Sequence, residues 1–185
     1  MTAMTAATGL PQGRPLTAAD LETMPDDGHR YELIDGALIV TPSPAVPHQR
    51  VVGNLYVVLR AACTEELEVM LAPLDITVSE ITVLQPDLLV APRTTLEGRK
   101  MIGLPVLAVE VLSPSTRLID LNLKHAAFER AEVGSYWVVD PEVASITAWR
   151  LEDGRYVEQA SAVDDELFRT DLPFPIELRP DDLVR

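Results

Sequence analysis

A chain of 185 residues with 47% hydrophobic and 5% aromatic content holds enough apolar material for one folded α/β domain, which excludes a disordered ground state. Its one cysteine excludes an internal disulfide framework and cysteine-rich metal cages, and fits a reducing cytoplasm. The net charge of -14 works against non-specific attraction to phosphate backbones.

Residues 1–15 lack the charged start and apolar centre of a signal peptide and read as a loose arm, with residues 16–185 as one domain. No apolar run is long enough to span a membrane. Thr17-Ala-Ala-Asp20, followed by Leu21 and Met24, predicts a short capped helix ended by Pro25. Tyr31 to Ile34 and Ala37 to Val40 flank Asp35-Gly36, a pair suited to the positive backbone angles of a two-residue hairpin turn. That register sets Glu32 opposite Ile39, on an apolar face shared with Ile34 and Ala37.

After the loop Thr41 to Pro44, Pro47 suits the start of a helix running to about Cys63. Val51, Val52, Leu55, Val58, Leu59 and Ala62 would form its buried side, with His48 and Gln49 in its first turn. Leu67 to Val78 and Ile81 to Leu84 read as strands meeting at Ser79-Glu80. Gln85-Pro86-Asp87 leads into the buried strand Leu88 to Ala91, which places Asp87 at a strand entrance.

A polar loop from Pro92 to Gly103 precedes the densest stretch. Val106 to Leu112 is almost wholly apolar, as a strand buried on both faces should be, yet it contains Glu110. Ser113-Pro114-Ser115-Thr116 offers hydroxyls for a helix start, and a helix from Arg117 to about Ala131 follows, ended by Gly134. Leu121, Phe128 and Ala131 share one face of it. Lys124 lies in that face, with Asp120 one turn earlier to orient the ammonium. Tyr136 to Val139 forms the next strand, giving a parallel crossover. Ser145 to Arg150 and Tyr156 to Ala160 form a hairpin around Asp153-Gly154, and a proline-broken segment from Leu172 to Leu183 closes the chain.

Four residues stand out together: Glu32, Asp87, Glu110 and Lys124. Two carboxylates from neighbouring strands suit a hard divalent cation such as Mg2+, whose shell water and phosphate oxygens complete. A nearby lysine would then position or deprotonate the attacking water and offset charge on a phosphate. The plain alternative is a buried Glu110–Lys124 salt bridge without catalysis. Thirteen of the fifteen basic residues are Arg, so the choice of Lys at 124 favours a role for a compact ammonium. Charge is uneven: residues 151–185 hold ten acids and four bases, while residues 91–130, around this site, hold six bases and four acids. His29 and His125 read as structural because no zinc-type histidine pair occurs. A two-carboxylate glycosidase explains neither the lysine nor the lack of nearby sugar-stacking aromatics.

The stretches RYELIDGALIVTPSPAVPHQ, LQPDLLV and VEVLSPSTRLIDLNLKHAAFERAEVGSYWVVDP resemble the Uma-type restriction endonuclease family of the PD-(D/E)XK, restriction-endonuclease-like superfamily. The resemblance runs from about Arg30 to Pro141. It implies a mixed β-sheet flanked by helices, with an N-terminal β-hairpin and additional C-terminal strands, and a divalent-metal site, Mg2+ or Mn2+, that cuts phosphodiester bonds. Asp87 and Glu110 match the two acidic metal ligands, and Glu32 resembles an extra acidic residue from an N-terminal element. Leu112 stands where the superfamily pattern expects lysine, and Lys124 on the next helix resembles its replacement. The expectation is an Mg2+-dependent endonuclease acting on nucleic acid, DNA in particular, as a homodimer. Its catalytic residues would be Glu32, Asp87, Glu110 and Lys124, supported by His48, Gln49 and Asp120. The competing expectation, favoured by the acidic surface, is a non-catalytic dimeric binding or regulatory module that keeps the fold.

Overall fold

The computed structural model describes residues 11, 13–98 and 100–185. The expected loose arm therefore falls mostly outside the described residues, but its last part is tied down. Arg14 donates two hydrogen bonds of 2.8 Å to Asp20, and Leu16 N–H donates to the Gly36 carbonyl. Helix α1, Ala18–Leu21, carries the expected capping box between Thr17 and Asp20.

Strands β1, Arg30–Ile34, and β2, Ala37–Thr41, form the hairpin in the expected register, Glu32 opposite Ile39. Asp35 and Gly36 both have positive φ, as a type I′ turn requires. At Gly36 a Cβ would lie 2.4 Å from the Pro15 Cβ, so only glycine lets the chain pass there. Helix α2, Val46–Ala62, buries Val51, Val52, Leu55 and Leu59 at helical spacing, and Pro47 sits in its first turn, where no N–H is needed.

The segment 67–78 is not one strand. It divides into β3, Leu67–Leu71, and β4, Ile76–Ser79, which belong to different sheets. Pro73 explains the break: it brings no N–H to a ladder, so the pairing with the next segment of chain ends as the Ala72 N–H donates to the carbonyl of Asp87. Strands β5, Thr82–Leu84, and β6, Leu88–Pro92, follow. The loop after Pro92 contains a 3-10 turn, Arg93–Thr95, and a two-residue ribbon of β7, Leu96–Glu97, with β8, Lys100–Met101.

Strand β9, Leu107–Val111, is buried along its whole length. A π-helical segment, Ile119–Lys124, runs into α3, His125–Arg130. Gly134 does not end this helix. Glu132 takes the left-handed position at φ 60°, Val133 N–H donates to Phe128 O, and Glu132 N–H donates to Glu129 O, which together make a Schellman close. Strand β10, Ser135–Asp140, pairs parallel with β9. Strands β11, Ser145–Glu152, and β12, Arg155–Val163, form the expected hairpin, and β13, Phe168–Thr170, β14, Ile176–Leu178, and α4, Pro180–Val184, complete the chain.

A mixed six-stranded sheet, in the order β12-β11-β10-β9-β6-β3, divides two cores, and a four-stranded sheet, β2-β1-β5-β4, covers part of one face. Alternation along β9 sends Leu107, Val109 and Val111 into the core under α2, with Trp137 and Phe168. Ala108 and Leu112 enter the opposite core with Phe128 and Tyr136. Each fully buried Leu or Val contributes about 1.5–3 kcal/mol. Glu110 shares the parity of Ala108 and Leu112, so it faces the second core, under β1 and the π segment.

Candidate active site

Alternation along β1 sets Arg30, Glu32 and Ile34 on one side, and Glu32 and Ile34 are both buried there. Glu110 comes from β9, Asp87 from the entrance of β6, Lys124 from the π segment and His48 from the first turn of α2. Glu32, Asp87, Glu110, Asp120 and Lys124 are each at most 3% exposed. The Lys124 ammonium lies 2.9 Å from Oε1 of both Glu110 and Glu32, and 3.9 Å from Oδ1 of Asp120. Asp87 Oδ1 accepts from Arg30 at 2.9 Å, while Oδ2 accepts from His48 Nε2 at 3.0 Å and from Val111 N–H at 2.9 Å. Glu32 Oε1 also accepts the Gln85 N–H at 2.7 Å.

The π segment is held both by the helix's own backbone and by a side chain from β10. His125 N–H donates to Asp120 O, five residues back, and to Asn122 O, while Tyr136 Oη donates to Asp120 O at 2.8 Å. Asp120 and Lys124 thus stay buried although Leu118 and Leu123 beside them are exposed.

These contacts fix the charges. Burial lifts the Glu110 carboxyl well above its ordinary range, against the pull of Lys124. It lifts Asp120 to about 6, opposed by Lys124 and a hydrogen bond from Thr116. Burial also works to raise Asp87, but the His48 hydrogen bond and the Arg30 charge outweigh it and hold that carboxylate well below its usual value. Burial alone would lower Lys124; Glu110, Glu32, Asp120 and Asp87 more than reverse this and keep it protonated. A charged ammonium has no lone pair. In these surroundings Lys124 is placed to donate hydrogen bonds, the first of the two tasks expected of it.

The expected constellation Glu32, Asp87, Glu110 and Lys124 thus comes together, with His48 and Asp120 beside it. Gln49 does not join. It is exposed and lines a neighbouring open groove. Of the basic window 91–130, the four bases whose side chains are described are each paired with acids: Arg93 with Glu68, Arg117 with Asp140, Lys124 with its carboxylates and Arg130 with Asp35. Arg99 lies outside the described residues. Ser113, Ser115 and Thr116 bond one another through their hydroxyls, and the turn closes when Thr116 and Arg117 N–H donate to Ser113 O. Sequence reasoning passed over Arg30, although the 30, 32, 34 alternation places it on the face of Glu32.

Arg30, Glu32, His48, Asp87, Glu110, Asp120 and Lys124 enclose a cavity of about 20 Å³, with room for one water-sized species. Four carboxylates and two fixed cations line it, so full ionisation leaves two negative charges in excess, matched by one divalent ion. The donors are hard oxygens, as Mg2+ or Mn2+ prefers. Among the described residues, no three acidic, histidine or cysteine side chains converge as a cage. Asp87 and Glu110 as two carboxylate ligands, with water completing the shell, fit the binding habit of Mg2+.

A mixed sheet with acidic residues at the ends of adjacent strands, and a lysine over them, defines the restriction-endonuclease-like class of nucleases, whose members generally use divalent metals. The chain belongs to the Uma2 family, described as "Putative restriction endonuclease", which matches residues 18–182. Among solved structures, it is similar to a protein from Anabaena variabilis described as a "putative nuclease belonging to DUF820". The two are 19% identical over 92% of this chain and 98% of the other, with a TM-score of 0.73. No curated protein matches the chain.

Proposed function

We propose that this protein is a divalent-metal-dependent nuclease that hydrolyses phosphodiester bonds of nucleic acid, DNA in particular. The observation that carries this reading is the lysine. Lys124 is 2% exposed, and its ammonium contacts both Glu110 and Glu32 at the cavity that Asp87 also lines. Asp87 and Glu110 would hold Mg2+ or Mn2+. The bound ion would supply Lewis-acid activation of water and neutralise charge on the phosphate. Glu32 and Glu110 together fix the ammonium, Asp120 adds a third carboxylate, and Lys124 would donate to the water or to a phosphate oxygen. His48 holds Asp87 in one orientation.

A second reading has its own support, because Arg30, His48 and Lys124 already engage Asp87, Glu110 and Glu32 through contacts within the protein itself. In that case the fold would serve as a non-catalytic binding module. Calorimetric titration of Mn2+ into wild type and Asp87→Ala, with cleavage of supercoiled and single-stranded DNA by the same samples, separates the two. Binding lost in the variant together with metal-dependent cleavage supports the nuclease. Absence of both in a folded wild type refutes it.

A further inference from the structure

We infer that Arg30 is the residue that receives the substrate phosphate, exchanging its bond to Asp87 for one to a phosphodiester when metal enters the cavity. This inference rests on the nuclease reading and adds the point of substrate contact. Two openings meet at Arg30. One is the small cavity holding Asp87, Glu110 and Lys124; the other is an open groove of about 490 Å³ between the 24–31 segment, the 42–49 segment and the 72–85 region. Arg30 is the one described residue that lines both, and the one Lys or Arg among the described residues of the groove.

The charge of the approach favours such a residue. A phosphodiester entering along the groove passes Asp26 and Asp75 before it meets the carboxylates of the cavity, and Arg30 is the cation that stands between the two. Lys124 cannot take that position, because it is 2% exposed and lies between two glutamates. Arg30 retains 18% side-chain exposure, and its guanidinium spans Asp87 Oδ1 and the Gln85 carbonyl. The same planar fork fits two phosphate oxygens. Arg30 also occupies an oxygen of a proposed metal ligand, so Arg30 and the metal compete for Asp87.

This competition gives opposite signs for two measurements on Arg30→Gln. The variant should bind Mn2+ several-fold more tightly by calorimetry, because a competing positive charge is gone. It should bind a short fluorescent DNA strand, in Ca2+, about tenfold more weakly, with a salt slope shallower by about one phosphate contact. Its melting temperature should fall in EDTA and recover in Mn2+. Arg30→Lys, which keeps the charge without the fork, should retain the salt slope and lose part of the affinity; it carries the test if Arg30→Gln does not fold. Weaker Mn2+ binding in step with lost stability would make Arg30 a scaffold residue and overturn the inference. Unchanged DNA affinity and slope would do the same while leaving the nuclease reading intact, whereas a wild type that binds neither metal nor DNA removes that reading itself.

Discussion

Lys124→Met keeps most of the side chain's stem and removes its charge, which isolates the energetic role of the ammonium. In the folded protein the loss strips two 2.9 Å contacts, to Glu110 and Glu32, and the longer one to Asp120, in a site at most 3% exposed. Removing one partner of such a pair costs about 3–5 kcal/mol, because the remaining charges stay buried without compensation. The sign of the pH dependence follows from the carboxyls. Glu110 and Asp120 already titrate above their ordinary values, and without Lys124 they rise further, so the folded state binds protons more tightly than the unfolded state. Stability of the variant therefore rises as pH falls, and its deficit against wild type narrows from about pH 8 to about pH 5. Urea unfolding in EDTA at both pH values measures this, and adding Glu110→Gln to Lys124→Met should restore about 1–3 kcal/mol through coupling. A loss below about 1 kcal/mol, the same at both pH values and uncoupled to Glu110, would refute the buried-charge argument.

Wild type itself should be pH-dependent without divalent metal. Asp120 rises from 3.8 to about 6, so the stability linked to it grows as pH falls through that interval, by at most about 3 kcal/mol; melting curves in EDTA should show the gain, and saturating Mn2+ should erase it. Asp87 has the opposite sign: its contribution is present above its ordinary value and lost below it, so acid unfolding should set in below about pH 4. Tyr136→Phe removes the 2.8 Å hydroxyl bond to the Asp120 carbonyl and should cost about 1 kcal/mol in denaturant titration; no loss would mean that the His125 N–H alone holds that carbonyl. Glu132→Gly relieves a left-handed residue on the surface and should stabilise by about 0.5–1 kcal/mol with DNA cleavage unchanged, whereas destabilisation would show that this Glu side chain supports the helix end.

Local rules reached far into this fold. The Asp35-Gly36 turn fixed the register that buries Glu32, and the apolar run around Glu110 identified the central strand without help from distant residues. The division at Pro73 was hidden because residues on both sides favour strand, and only the choice between two sheets decides it. The helix end at Glu132 was hidden for a related reason: the next residue, Val133, is fully buried, and the turn into it falls on a glutamate where glycine two residues later looked sufficient. In the site, carboxylates on apolar faces were visible as anomalies. Arg30 was not, because an arginine at the start of a strand is unremarkable until its partner, 57 residues away, is known. The pairing of the basic residues 93, 117 and 130 with acids from other elements was likewise invisible to a count along the chain.

The π segment changes what a search for related sites should look for. Lys124 follows Glu110 by 14 positions, yet their charged atoms lie 2.9 Å apart, because the chain leaves the sheet and returns over it. Leu112, two places after the acid, is then free to be an ordinary buried side chain. A pattern written as letters at fixed intervals would discard this chain at that position. One written as an ammonium within hydrogen-bond reach of two carboxylates, whatever element delivers it, would retain it, and would also retain proteins in which the lysine arrives from somewhere else again.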